Sequence, residues 1–194
     1  MVIVKNFSVR LLILLLLVAC VEEEHVPIGT QLLVNTNMSM FHDSVDPWRA
    51  GRLERMGASR TVFLTGNRSL YIENPDSLSL FSGSWTQSYS GPMPAPGSKL
   101  VLTAFLKGEG VRNSVESQPS LFLLLHTLKY IDGKNHGKSA QSGDLSIEGD
   151  FNWIPIQVTL EDFPAAADHI NVTFIFPYYT FGKIYLDEIT LMVE

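Results

Sequence analysis

The side chains best suited to a binding chemistry are aromatic and amide residues that alternate along one short segment. Trp85, Gln87 and Tyr89 occupy positions i, i+2 and i+4, so in a β-strand they share one face. Sugar rings present flat C–H faces, which aromatic rings contact while amides or carboxylates bind the hydroxyls. If this face is open, the three residues form a row suited to a glycan. If it points inward, they belong to the core and Gln87 is hydrogen-bonded internally.

A second aromatic cluster lies in a short turn near the C-terminus. Tyr178, Tyr179 and Phe181 are enclosed by Pro177 and Gly182. Loops at the ends of β-sandwiches often carry binding residues. The cluster therefore predicts a second contact for carbohydrate, and the alternative is that these rings cap the end of the fold. Trp48, in an unassigned segment, is a further aromatic candidate.

Asp187 is a carboxylate in an apolar setting. It alternates with Tyr185 and precedes Ile189 in the last predicted strand, which places it on a buried face. A buried carboxylate needs a partner. Backbone amides, or an arginine such as Arg60 or Arg68, are candidate partners.

Catalytic motifs are hard to find. The histidines show no metal-ligand spacing, and neither a Gly-x-Ser-x-Gly elbow nor a phosphate-binding glycine loop occurs. Asp144, Glu148 and Asp150 form an acidic cluster among glycines, which is typical of a solvated turn. A carboxylate pair for glycoside hydrolysis stays open, because such a pair is set in space and not in sequence. We expect a protein that is not an enzyme.

Composition narrows the class further. The chain has 194 residues, 45% of them hydrophobic, with one cysteine and a net charge of −6. This length and apolar content predict one folded domain and exclude a disordered or fibrous protein. A single cysteine excludes a disulfide framework, and the acidic balance argues against a nucleic-acid partner.

The N-terminus has the pattern of a secretory leader. Residues 1–19 combine the basic residues Lys5 and Arg10 with an apolar run over residues 11–18. The run is shorter than the roughly 20 apolar residues of a membrane span. The segment Leu17-Val18-Ala19-Cys20 resembles a bacterial lipobox, which implies a signal peptide over residues 1–19 and a lipid anchor on Cys20. The alternative is an incidental cysteine after an uncleaved anchor helix.

Residues 20–29 are interpreted as an acidic tether. Glu22, Glu23 and Glu24 follow the cysteine directly, and a solvated spacer explains them sufficiently. They also resemble the acidic export signal of surface lipoproteins in Bacteroidetes-type bacteria. This resemblance implies an outer-membrane lipoprotein exposed at the cell surface, and a periplasmic orientation stays open.

The remaining chain, residues 30–194, predicts strands. Short apolar, β-branched or aromatic runs are separated by Gly, Pro, Asn, Asp and Ser. The fold class that fits is all-β, an antiparallel β-sandwich of the jelly-roll type. The predicted strands are residues 31–34, 60–64, 69–73, 84–89, 99–107, 120–130, 153–160, 170–176 and 183–193. Residues 161–168 are expected to form a loop.

Several motifs in this order resemble one family. They are Trp85-Thr86-Gln87, Pro96-Gly97-Ser98-Lys99-Leu100, Gly149-Asp150-Phe151-Asn152-Trp153, and the closing Gly182-Lys183-Ile184-Tyr185-Leu186-Asp187-Glu188-Ile189. The succession is similar to the carbohydrate-binding-module-type jelly roll of the galactose-binding-like superfamily. The resemblance implies a glycan or polysaccharide partner, no required cofactor, and a structural calcium ion near the terminal strands, where Asp187 would be a ligand.

Together these features predict a non-catalytic, lipid-anchored, carbohydrate-binding module-like protein at the bacterial cell surface, attached to the membrane through its N-terminal lipid. The alternative is a structural or accessory envelope lipoprotein that binds another envelope protein. A small jelly-roll lyase or hydrolase is a third interpretation.

Overall fold

The computed structural model describes residues 24–76, 78–115, 121–143 and 147–194, and every regular element in this part of the chain is a β-strand. The predicted all-β class is confirmed. Among the described residues no helix is long and apolar enough to cross a membrane. Cys20, with the predicted leader, lies outside them. The strands are β1 (Arg49–Ala50), β2 (Met56–Ser59), β3 (Ser69–Asn74), β4 (Gly83–Tyr89), β5 (Leu100–Asn113), β6 (Phe122–Leu128), β7 (Tyr130–Ile131), β8 (Lys134–Asn135), β9 (Ser139–Gln141), β10 (Gly149–Leu160), β11 (His169–Phe176) and β12 (Thr180–Val193).

The strands form a sandwich of two five-stranded sheets. The first sheet has the order β1-β4-β11-β6-β9 and the second has the order β10-β5-β12-β3-β2. All their pairings are antiparallel. β7 and β8 form a separate hairpin that follows β6 in the chain.

Alternation along the strands builds the core between the sheets. On β11, Ile170, Val172, Phe174 and Phe176 are fully buried while the residues between them are partly exposed. β10 contributes to the core in the same way, through Ile156, Val158 and Leu160, which are also buried. Their burial stabilises the fold by roughly 25 cal/mol for each Å² of apolar surface removed from water.

Proline placement agrees with the topology. β10 is an edge strand of the second sheet, and Pro155 stands opposite Phe105 of β5 within it. Proline lacks the N–H that a ladder requires, so it is tolerated in a strand only at an edge.

Two predicted strands are wrong. Residues 31–34 contribute only an isolated bridge between Gln31 and Met192, together with a hydrogen bond from the Leu32 amide to the Leu191 carbonyl. Residues 60–64 belong to the irregular connection between β2 and β3. Leu32 and Leu33 of the first run are buried, whereas residues 60–64 are partly or largely exposed, and neither run forms a continuous ladder.

The long strands run between two ends of the sandwich. At the proximal end, the Val26 amide donates to the Met93 carbonyl, and the Glu194 amide donates to the Lys99 carbonyl. Connections at residues 51–55, 78–82 and 177–179 lie at the distal end. β5 spans both ends with 14 residues, which is about 46 Å of extended chain.

Candidate functional site

The first sheet presents an outer surface that is polar except for Ile175 and the leucines and phenylalanine of β6, and we call it the first-sheet face. Buried and partly exposed residues alternate on β4, β6 and β11, so every second side chain points away from the core. The residues of the first-sheet face are Arg49 on β1; Ser84, Thr86 and Ser88 on β4; His169, Asn171, Thr173 and Ile175 on β11; Phe122, Leu124, His126 and Leu128 on β6; and Ser139 and Gln141 on β9.

The antiparallel register aligns polar side chains in rows across this face. Thr86 stands opposite Thr173, and their Oγ1 atoms are 3.2 Å apart. In the next row Asn171 stands between Ser88 on one side and His126 on the other. Neighbouring strands are about 4.8 Å apart. Hydroxyl, amide and imidazole groups are thus repeated at short intervals, an arrangement that can bind several hydroxyls of one ligand.

A cavity opens at the β1 edge of the face. It has a volume of ≈ 380 Å³ and is lined by Pro47, Arg49, Thr86 and Ser88. Arg49 is exposed. Among the described residues it pairs with no carboxylate, so its guanidinium is available to a ligand.

The other end of the face carries an aromatic ring and an ion-pair cluster. Tyr130 is 66% exposed and lines a cavity of ≈ 320 Å³ with Leu128, Asp168 and His169. The Asp168 carboxylate binds Lys129 Nζ at 2.6 Å and His169 Nδ1 at 2.6 Å. The hydrogen bond from Lys129, followed by that from His169, lowers the pKa of Asp168. This carboxylate is therefore already neutralised by its neighbours.

The β7–β8 hairpin positions this end. Its turn residues Asp132 and Gly133 have φ of 51° and 74°, the left-handed conformation that a tight hairpin turn requires. Asn135 Oδ1 accepts hydrogen bonds from the Lys129 and Gly137 amides. Its Nδ2 therefore points to His126 Nε2, at 3.0 Å, and fixes the imidazole against the hairpin.

The row predicted from Trp85, Gln87 and Tyr89 shares one face, and that face points inward. Trp85 is 4% exposed and its Nε1 donates to the Tyr71 carbonyl at 3.1 Å. Gln87 is 2% exposed and binds both backbone groups of Val34. Tyr89 is half-buried, and its hydroxyl donates to the Pro92 carbonyl at 2.7 Å.

Of the two alternatives for this row, the structure therefore adopts the inward one. The expectation that Trp85 and Gln87 form an exposed sugar-binding platform is replaced by a role for both in the interior. The physical reason is the phase of the alternation on β4. Small hydroxyl residues, Thr86 and Ser88, occupy the outward positions, while the large rings remove more apolar surface from water when they point inward.

The second aromatic cluster divides between two places. Tyr178 and Tyr179 are exposed in the distal turn, at 50% and 39%. Tyr179 has a φ of 66°, and its carbonyl accepts the Ser114 amide at 2.9 Å, which fixes the turn. Phe181 is half-buried on β12, opposite Arg112. Two of the three rings are thus accessible to a ligand at the distal end.

Asp187 is fully buried and its partners are backbone amides. Oδ2 accepts hydrogen bonds from the Leu64 amide at 2.7 Å and the Thr65 amide at 3.1 Å, and Oδ1 accepts the Glu188 amide at 2.9 Å. Removal from water raises the pKa of Asp187, and these three donors act against that change. Of the predicted alternatives, the structure shows backbone amides in place of an arginine. In the described ranges no group of three or more His, Cys, Asp or Glu is placed to hold a metal ion.

Other sequence candidates are structural. Trp48 is 3% exposed, and its Nε1 donates to the Asn35 carbonyl at 3.1 Å. Asp150 is exposed and accepts the Gly110 amide at 2.6 Å. Glu148 is exposed, and Asp144 lies outside the described residues.

Sequence reasoning missed Tyr130, Asn171 and Arg49 as candidates for a binding surface. The sequence did contain a signal for Asn171, because it alternates with Ile170 and Val172 in the predicted strand 170–176 and so lies on the face opposite to theirs. Arg49 and Tyr130 had no comparable signal. β1 is only two residues long, and the β7–β8 hairpin after β6 places Tyr130 beside its cavity.

Comparison with known proteins identifies the fold. No protein-family model and no curated protein sequence matches the chain. Among solved structures, the xylan-binding CBM22-1 domain from Paenibacillus barcinonensis is 12% identical with a TM-score of 0.54, and the match covers 87% of this chain and 97% of that one. TmCBM61, solved in complex with β-1,4-galactotriose, is 14% identical with a TM-score of 0.51, covering 86% and 100%.

Enzymes share the same architecture. A cyclase from Fischerella sp. is 13% identical with a TM-score of 0.62, covering 86% of this chain and 97% of that one. The chain also spans 21% of the length of a bacteriophage CBA120 tailspike chain that it resembles in fold. At these identities the likeness shows the fold alone, which is a jelly roll like that of carbohydrate-binding modules.

Proposed function

We propose that this chain is a non-catalytic, carbohydrate-binding module-like protein that binds a glycan on the first-sheet face. The observation that carries the proposal is the row of polar side chains on β4 and β11 of this face, with the exposed ring of Tyr130 at one end. Hydroxyl and amide groups of Thr86, Ser88 and Asn171 offer donors and acceptors to sugar hydroxyls. Tyr130 offers a flat surface for the C–H face of a sugar ring.

The similarity in fold to carbohydrate-binding modules is compatible with this function, and the layout of the first-sheet face favours it over catalysis. Two of the solved structures that share the fold are described as a xylan-binding domain and a galactotriose complex. The polar groups of the first-sheet face are spread over several strands, and the two cavities that adjoin it share no lining residue. A catalytic site would instead bring titratable groups together in one cleft.

The leader residues support a lipid anchor as part of the proposed function. Cys20 would carry the lipid after removal of residues 1–19, and Glu22, Glu23 and Glu24 would separate the sandwich from the membrane. The protein would then display its glycan site at the outer membrane, on the cell surface.

Binding to polysaccharides, measured by pull-down and isothermal titration, tests the glycan site and locates it. Tyr130→Ala is expected to weaken binding about tenfold, which corresponds to about 1.4 kcal/mol. Tyr178→Ala is the matched control, because Tyr178 is a similarly exposed tyrosine at the opposite end. If Tyr178→Ala or Tyr179→Ala weakens binding and Tyr130→Ala does not, the distal turn is the site.

A second candidate function is binding to another envelope protein. It is favoured by the distal end, where Leu53, Leu78 and Leu80 are 83%, 88% and 62% exposed and accompany the two exposed tyrosines. Exposed apolar side chains gathered at one end are a feature of protein interaction sites. Absence of glycan binding in a folded sample, together with a cross-linked partner that Leu78→Ser abolishes, would support this function.

A further inference from the structure

The five strands of the first sheet differ in charge from the rest of the molecule. The whole chain has 20 acidic and 14 basic residues, yet β1, β4, β6, β9 and β11 contain no Asp, Glu or Lys. Arg49 is their only side chain of fixed charge, and His126 and His169 are their only other titratable groups besides Tyr89. The second sheet, by comparison, carries Glu73, Glu109, Asp150, Asp187 and Glu188 on its strands.

Arg49 is free to bind an anion from solution. It stands opposite Thr86 in the register and lines the cavity at the β1 edge with Thr86 and Ser88. Two other arginines are held by backbone carbonyls: Arg68 donates to the Phe41 carbonyl at 2.8 Å, and Arg60 donates to the His42 carbonyl at 2.8 Å. No such bond holds the Arg49 guanidinium within the described part of the chain.

The carboxylates that border the face are occupied. At the hairpin end, Asp168 is bound by Lys129 and His169. At the β1 end, Asp46 Oδ2 accepts the hydroxyl of Ser44 at 2.7 Å. An anionic ligand lying along β4 and β11 would therefore meet a cation and neutral hydrogen-bonding groups, without a carboxylate on the strands beneath it.

We propose that the first-sheet face binds a glycan bearing anionic groups, with Arg49 paired to a carboxylate or sulfate and Thr86, Ser88 and Asn171 hydrogen-bonded to neighbouring hydroxyls. This inference rests on the proposed glycan-binding function and specifies its ligand. The planar guanidinium matches a carboxylate or sulfate with two parallel hydrogen bonds. A neutral glycan would gain less from an unpaired arginine, because it offers no opposite charge.

The test compares polymers that differ only in charge. The full chain is titrated with polygalacturonate and with its carboxyl-reduced, neutral product, and with chondroitin sulfate and its desulfated, carboxyl-reduced product. The expected result is at least tenfold tighter binding to a charged polymer than to its neutral counterpart, with a loss of affinity as NaCl rises. Chondroitin sulfate carries both carboxylates and sulfates, so products that are only desulfated or only carboxyl-reduced, titrated separately, identify which of the two anions binds Arg49.

Two arginine variants give the matched control. Arg49→Gln is expected to reduce the affinity for the charged polymer at least tenfold and to leave the affinity for the neutral one unchanged. Arg112→Gln removes an exposed arginine from the second sheet and is expected to change neither. Melting temperatures of both variants that equal that of the parent protein exclude a folding defect.

The outcomes separate this inference from the function on which it rests. Equal binding to charged and neutral polymers, reduced by Asn171→Ala, would overturn the anionic ligand and retain the glycan site. Preference for charged polymers that survives Arg49→Gln would also overturn it. Binding to no glycan of either kind would overturn both proposals.

Discussion

At the scale of single residues, Gln87 replaces a missing strand pairing. Its Oε1 accepts the Val34 amide at 2.8 Å and its Nε2 donates to the Val34 carbonyl at 2.9 Å. Val34 follows the isolated bridge at Gln31, so the side chain makes the two hydrogen bonds that an adjacent strand would otherwise supply. The polar member of the predicted sugar-binding row thus has a structural role.

Gln87→Leu is expected to lower the free energy of unfolding by about 2–3 kcal/mol, because it leaves the amide and carbonyl of Val34 without their partner. Urea denaturation measures the change. Ser88→Ala, on the outward side of the same strand, is the control and is expected to stay within about 0.5 kcal/mol of the parent. Equal stability of the two variants would show that Gln87 does not hold this segment.

The buried carboxyl group of Asp187 is expected to make the stability of the fold decrease as pH rises. Burial raises its pKa in the folded protein, so its contribution to stability is complete below the unfolded value of about 3.9 and is lost as pH rises through the raised folded value. Asn at this position does not titrate.

The difference in unfolding free energy between the parent and Asp187→Asn is therefore expected to decrease from pH 4 to pH 7. Denaturation of both proteins at several pH values measures it, and the acid sensitivity common to both cancels. A difference that increases with pH would mean that the three amide donors outweigh the burial of the carboxylate.

At the scale of elements, β5 and β12 are paired side by side in the second sheet, and their backbones approach each other closely at a glycine. Gly182 has a φ of 100°, and a Cβ at this position would lie 2.5 Å from the carbonyl oxygen of Gly110 on β5. Gly110 itself has a φ of 57° and lies where the register between β5 and β12 shifts. The irregularity thus depends on the absence of a side chain at Gly182.

Gly182→Ala is expected to destabilise the fold by at least about 2 kcal/mol, from the strained φ and from a contact that backbone atoms cannot easily relieve. Thermal unfolding measures it. Gly143→Ala is the control, because a Cβ there meets nothing within 4 Å. If both variants melt together, the register shift tolerates a side chain.

The sequence predicted the elements whose alternation is regular. β4, β10 and β11 match their predicted segments within a few residues, because apolar residues at every second position specify a half-buried strand. The strand predicted over residues 60–64 was wrong because this run is a loop without a buried residue, and the amides of Leu64 and the following Thr65 bind the Asp187 carboxylate instead of a neighbouring strand. β1 and β2 had no prediction, since two to four residues are too few for a period to be recognised.

The candidate site was less predictable than the fold for a related reason. Alternation shows that Trp85 and Gln87 share a face, but it does not say which face of the sheet points outward when both contain polar residues. The first-sheet face is assembled from five strands that are distant in sequence. Its composition becomes evident only when their register is known.

At the scale of the whole molecule, the size of the first-sheet face limits its affinity. β11 has eight residues, about 27 Å, and five strands span about 19 Å, so the face covers about 500 Å². For comparison, stable protein–protein interfaces bury about 800 Å² on each partner. A single molecule is therefore expected to bind a glycan weakly, and display of many copies on one membrane would strengthen attachment to a polymer.

Replacement of the proposed lipid attachment site tests that display. Cys20→Ser is expected to move the protein from the membrane fraction to the soluble fraction and to abolish incorporation of labelled palmitate. Affinity for a short oligosaccharide should stay unchanged, while retention of whole cells on a polysaccharide surface should fall. Membrane retention of Cys20→Ser without lipid would favour an uncleaved anchor helix.

The position of both ends of the described chain at the proximal end has a practical consequence for sensor experiments. Coupling through either end would orient every molecule in the same way, with the 177–179 turn pointing into the bulk solution and the first-sheet face pointing sideways. A dense coating would then shield the first-sheet face by lateral crowding and leave the turn accessible. Signal per molecule that declines with coating density would identify the sheet as the binding surface, whereas a constant signal would identify the turn.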